Sequence, residues 1–169
     1  YEKKLRLMQT KPRLQMAVCD FIPVKDEGKA IHQPQREITV KTRHDLMLDF
    51  FRIHGEKSNY SICNRLIHRD IVKDFRFVEG TISEDVKATY YFVTHCTAAV
   101  YTSEIYYYYY YNPSSVTNSK VTEKDFEYIE AFKQIADEMQ QNDKQYAEYA
   151  YMNYIRANFT ILSKMKLYE

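Results

Sequence analysis

The chain has 169 residues, is 45% hydrophobic and 28% charged, and carries a net charge of +1. That length suits one domain whose core needs neither disulfide nor metal, and the composition is that of a folded globular chain and not a disordered one. Cys19, Cys63 and Cys96 are odd in number and widely spaced, which excludes a secreted disulfide framework and points to an intracellular, reducing compartment.

Two further features of composition stand out. Glycine occurs 3 times, against about 12 at average usage. Tyrosine occurs 17 times, six of them in an unbroken run from Tyr106 to Tyr111. Residues 1–80 hold 16 Lys and Arg against 11 Asp and Glu, whereas residues 81–169 hold 8 against 12, a small asymmetry that hints at two unlike surfaces. The chain opens at Tyr1, as expected of a fragment or a processed form.

In chain order, residues 1–41 read as an irregular, basic segment. One or two short helical pieces interrupted by Pro12 are expected over 1–22, then a loop around Gly28, then a short strand or extended lead-in from Glu37 to Lys41. No signal peptide is visible, because no apolar stretch of suitable length follows the basic start.

Residues 42–111 read as a helical middle. Thr42-Arg-His-Asp45 has the form of a capping box, with a hydroxyl at the N-cap and a carboxylate three residues on. The helix it opens is expected to stop at Gly55, and Ser58 to cap a second, running to about Phe75. A third is expected to start at Ser83, with Glu84 and Asp85 favouring its dipole, and to end at Asn112-Pro113. Residues 89–102 are rich in Thr, Tyr and Val, so strands within 76–111 are the alternative. From Ala88 to Ser119 the one formal charge is Glu104, but the interspersed Thr, Ser and His make a membrane span unexpected.

The last segment, 122–168, reads as an antiparallel helical hairpin. Thr122-Glu-Lys-Asp125 repeats the capping-box form. Phe126, Ile129, Phe132, Ile135, Ala136 and Met139 follow at helical spacing, opposite Glu123, Glu127, Glu130, Lys133 and Asp137. A second stripe is expected from Ala147, Tyr151, Ile155, Phe159, Leu162 and Met165. The short break at Gln141-Asn142-Asp143 forces antiparallel neighbours. The expected fold is therefore a single, mainly α-helical domain over 1–169, a bundle of about five helices ending in this hairpin, with α+β as runner-up.

Chemistry-bearing motifs are sparse. On a helix over 58–75 continued by one turn, Arg65, Arg69, Lys73 and Arg76 would share an arc of about 80°. With Lys3, Lys4, Arg6, Lys11 and Arg13 they could follow a phosphate backbone, although Asp70 and Asp74 lie close by. His68-Arg69-Asp70 resembles a kinase catalytic triplet but lacks the Asn five residues on; Phe75 stands there. His32, His44, His54, His68 and His95 do not pair with Cys or acids at ligand spacing. Glu123, Glu127 and Glu130 lack the Glu-x-x-His of a diiron bundle. Gly28, Gly55 and Gly80 are isolated, so they build no phosphate loop. Catalytic residues, cofactors and metals are not expected, and the reading leans away from an enzyme.

Tyrosine is the remaining signal. Its apolar body and water-tolerant hydroxyl suit half-buried contact surfaces, and consecutive tyrosines cannot all face one core. Tyr106, Tyr108, Tyr110, Tyr151 and Tyr154 are the candidate protein contacts. The expected function is a non-catalytic structural or protein–protein interaction subunit of a homo- or hetero-oligomeric assembly. A nucleic-acid-binding protein using Arg65, Arg69, Lys73 and Arg76 is the alternative.

Overall fold

The computed structural model describes residues 1–24, 32–54, 60–112, 115 and 120–168. Gly28, Gly55, Ser58 and Pro113, which carry an expected loop, helix stop, helix start and helix end, lie outside the described residues. The elements are α1 (Glu2–Met8), β1 (Met16–Val24), β2 (Ile38–Thr42), α2 (Arg43–Phe51), β3 (Arg65–Ile67), α3 (Arg69–Val72), α4 (Glu84–His95), β4 (Ala98–Tyr110), α5 (Phe126–Asn142) and α6 (Ala147–Tyr168). The fold is α+β, with a four-stranded mixed sheet, and this overturns the mainly α-helical bundle. The alternative located β4 correctly, yet three strands lie outside its 76–111 window.

Contacts group the chain into two compact units, the first comprising Tyr1–Leu46, Ser61–Phe75 and Tyr91–Asn112. It holds the sheet, in the order β2-β4-β1-β3. Strand β1 runs parallel to β4 and antiparallel to β3, and β2 is antiparallel to β4. Met16 to Cys19 are each no more than 2% exposed, so both faces of β1 are covered there. A strand buried on both faces loses its alternation and cannot be told from a helix by pattern alone. That is why 1–22 read as helical. Leu7 and Leu14 pack on Ala17 and Val100, with Met8, Leu66 and Ala98 alongside.

The helix expected over 58–75 is replaced by β3 and the one-turn α3. Arg65, Leu66 and Ile67 pair with Val18, Ala17 and Met16, and backbone pairing outweighs local helix preference. Asn64 extends the ladder: its carbonyl accepts from Cys19 N–H at 3.2 Å, and its amide donates to the Cys19 carbonyl at 2.6 Å. The strand ends where His68 N–H donates to the Gln15 carbonyl at 2.7 Å, and His68 Nδ1 then accepts from Asp70 N–H to start α3. Likewise the third expected helix stops at His95, and the Thr- and Tyr-rich residues after it form β4 between two partner strands.

The second unit comprises Met47–Tyr60, Arg76–Tyr90 and Pro113–Glu169. Its centre is aromatic: Phe50 lies 5.3 Å from Tyr60, 5.7 Å from Tyr90 and 6.4 Å from Phe132 between ring centroids, and Tyr128 lies 5.0 Å from Phe132. Both expected capping boxes are present, Thr42 N–H in the first unit and Thr122 N–H in the second each donating to the carboxylate three residues on at 2.8 Å. A 3₁₀ turn, Glu123–Asp125, precedes α5. The hairpin is antiparallel as expected, because Asp125 at its start is ion-paired with Lys164 near its end. Helix α2 closes on Arg52, whose φ of 59° is left-handed. Arg52 N–H donates to Asp49 O and Ile53 N–H to Leu48 O, at 3.0 and 3.1 Å, the paired bonds of a Schellman closure.

Candidate interaction surface

Helix α6 is apolar on two opposite sides. Successive helical residues advance by about 100°, which puts Tyr146, at the turn leading into α6, on one side with Ala150, Asn153, Ala157 and Ile161. All five are buried. Ala150 and Ala157 present no side chain beyond Cβ, so a neighbouring backbone can approach closely. Asn153 donates through Nδ2 to the Phe51 carbonyl at 2.8 Å, and Arg156 donates to the same oxygen at 3.0 Å. This inner face therefore supplies the end-cap of α2 as well as packing.

The outer side carries Tyr151, Met152, Phe159 and Leu162, which are 56%, 48%, 64% and 58% exposed, with half-buried Ile155 between them. Tyr151, Ile155, Phe159 and Leu162 share the stripe expected on α6, and Tyr151, Phe159 and Leu162 face water. The physical reason is that large side chains would hold α6 away from α5, whereas small residues admit it. Periodicity of hydrophobicity does not register Ala and Asn as core. The legible signal was the small-residue spacing 150, 153, 157. Tyr154, half-buried, leans on Tyr151 with ring centroids 6.1 Å apart. This strip of exposed large apolar groups on a helix already anchored by its other side is the candidate contact surface.

The tyrosine run forms the far end of β4, in the first unit. Its side chains alternate between the two faces of the sheet, as a strand requires. Tyr106 is half-buried beneath Lys3, whose ammonium lies 4.9 Å from the ring centroid. Burial and the hydrogen bond to Glu104 push its hydroxyl up to about 12. On the other face, Tyr109 lies 6.2 Å from Phe21, and Tyr107 meets the Cys63 thiol, a hydrogen bond that raises the phenol. Tyr108 and Tyr110 are 46% and 55% exposed. Of the five candidate contacts, Tyr106 is thus engaged within the fold, while Tyr108, Tyr110 and Tyr151 face outward.

The four basic candidates do not share a helix face. Arg65 lies on β3, its Nε donating to the Ser61 carbonyl at 3.1 Å. Arg69 opens α3, Lys73 caps it, and Arg76 falls outside any helix and in the second unit. The common stripe depended on one continuous helix, which β3 interrupts.

Among the described residues, no three of His, Cys, Asp and Glu gather where they could hold a metal ion, and no helix is long and apolar enough to cross a membrane. All three cysteines are free thiols. Burial pushes Cys96 up to about 11 and raises Cys19.

No known family model matches the chain, and no curated protein matches it in sequence.

Proposed function

We propose that the chain is a non-catalytic interaction subunit that uses the outer face of α6 to bind another protein surface. The observation that carries this is the exposure of Tyr151, Met152, Phe159 and Leu162 along a helix whose opposite side is already packed. A helix in a monomeric domain gains nothing from a second apolar stripe, since leaving it in water forgoes about 25 cal/mol for each Å² that contact would cover. Tyr and Phe are also the side chains that dominate the energetics of interface centres. The exposed Tyr108 and Tyr110 supply a second aromatic strip on the sheet-bearing unit.

The test is to isolate the chain and replace Phe159 and Leu162 by Asp. The wild type should self-associate or bind an apolar fluorescent dye, and the doubly substituted chain should do neither while keeping its circular dichroism. A wild-type chain that stays monomeric and leaves the dye dark contradicts the reading.

A further inference from the structure

We infer that the outer face of α6 pairs with the same face of a second copy of this chain, the two helices running antiparallel. The inference rests on the reading above that this face is a contact surface, and it names the partner. Glu148 and Lys166 are both exposed and bracket the apolar stripe. Their separation corresponds to about five full helical turns, so they lie on the same side of α6, ~27 Å apart. Between them, on that side, come Tyr151, Met152, Ile155, Phe159 and Leu162. The stripe reads acid, apolar, base.

A stripe of that form is complementary to itself in one orientation. An antiparallel pair with its two-fold axis level with Ala157 sets each Glu148 opposite Lys166 of the second copy. It also sets Met152 opposite Leu162 and Ile155 opposite Phe159, so apolar groups meet along the whole length. In a parallel pair in register, Glu148 would face Glu148 and Lys166 would face Lys166, and like charges oppose contact. The charges therefore choose the orientation while the apolar groups supply the attraction, as polar flanks do in helical pairs. The contact is isologous, so it closes at two copies and leaves no free face to propagate.

Size is consistent with a weak but specific pair. Large apolar side chains that are about half exposed offer roughly 100 Å² each, counting the aliphatic as well as the aromatic members of the stripe. Two such stripes face to face remove on the order of 1,000 Å² from water, the lower bound for a specific interface.

Sedimentation of the full chain tests this through charge reversal. Wild type should dimerise, and Glu148→Lys and Lys166→Glu should each weaken the dimer roughly tenfold at low salt, less at high salt. The double variant E148K/K166E should recover wild-type association, and so should an equimolar mixture of the two single variants. Both residues exchanged are exposed surface positions, so folding is preserved, and far-ultraviolet circular dichroism checks it. A dimer indifferent to both reversals, or one that the double variant fails to restore, overturns the antiparallel pairing. A monomer that still binds the apolar dye through Phe159 overturns the second copy while leaving the contact surface standing. A monomer that leaves the dye dark overturns both.

Discussion

The side-chain amide of Asn153 donates to the Phe51 carbonyl at 2.8 Å, so a residue in the middle of α6 caps a helix that ended about a hundred positions earlier in the chain. The bond fixes which side of α6 is the inside. A buried polar group is tolerated because its donor is used, and in being used it turns Tyr151, Phe159 and Leu162 outward.

This gives an unequal pair of substitutions. Asn153→Leu removes the donor and buries bulk where there is none to spare, so it should cost about 1–3 kcal/mol. Phe159→Ser, in dilute protein, should change stability by no more than about 0.5 kcal/mol. Urea unfolding midpoints read both. The reverse ranking would mean that the aromatic stripe is the packed face.

Asp125 couples stability to pH. Its burial would raise the carboxyl, but the hydrogen bonds from Lys164 and Thr122 outweigh that and hold it below the usual carboxylate range. A depressed group stabilises the fold above its ordinary value of about 3.9, and the contribution is lost as pH falls through the folded value. Asp125→Asn should therefore lose about 1.5–3 kcal/mol at neutral pH, with the deficit shrinking as the pH drops into the acid range. Denaturant unfolding at neutral and acid pH measures the convergence, and a deficit constant with pH would show that the carboxylate charge is not what matters.

Thiol accessibility separates the three cysteines. Cys63 is half-buried beside Ser61 Oγ at 2.9 Å, whereas Cys19 and Cys96 are buried. Only the thiolate reacts, and burial suppresses it in Cys19 and Cys96. A thiol reagent at pH 8 should modify one cysteine quickly in the native chain and the remaining two only on unfolding. Cys63→Ser should abolish the fast phase. Three equal fast phases would contradict the burial of Cys19 on β1 and of Cys96 between α4 and β4.

The sequence disclosed the elements whose signals are local. Thr42–Asp45 and Thr122–Asp125 are self-contained chemistry, legible three residues at a time, and α5 carries a clear apolar stripe. The short lead-in at residues 37–41 became β2 because its extended preference agreed with its pairing. What escaped was set by distant partners. Met16–Val24 is a strand because β4 and β3 flank it, and the buried run Met16–Cys19 lacks the alternation that would set it apart from a buried helix. Arg65–Ile67 leaves the helical pattern because β1 offers an edge. On α6 the outer stripe was legible but the core-facing side was not, since Ala150, Asn153 and Ala157 belong to the core for their small size and hydrogen bonding, and not for hydrophobicity.

The most direct test of the outer α6 face is sedimentation velocity of the full chain across roughly 1–100 μM, a range spanning weak association, with Phe159→Asp run alongside. Wild type should sediment faster as concentration rises, and the variant should remain monomeric with unchanged circular dichroism. Two monomeric proteins that are alike in sedimentation and equally dark with an apolar dye would contradict the account.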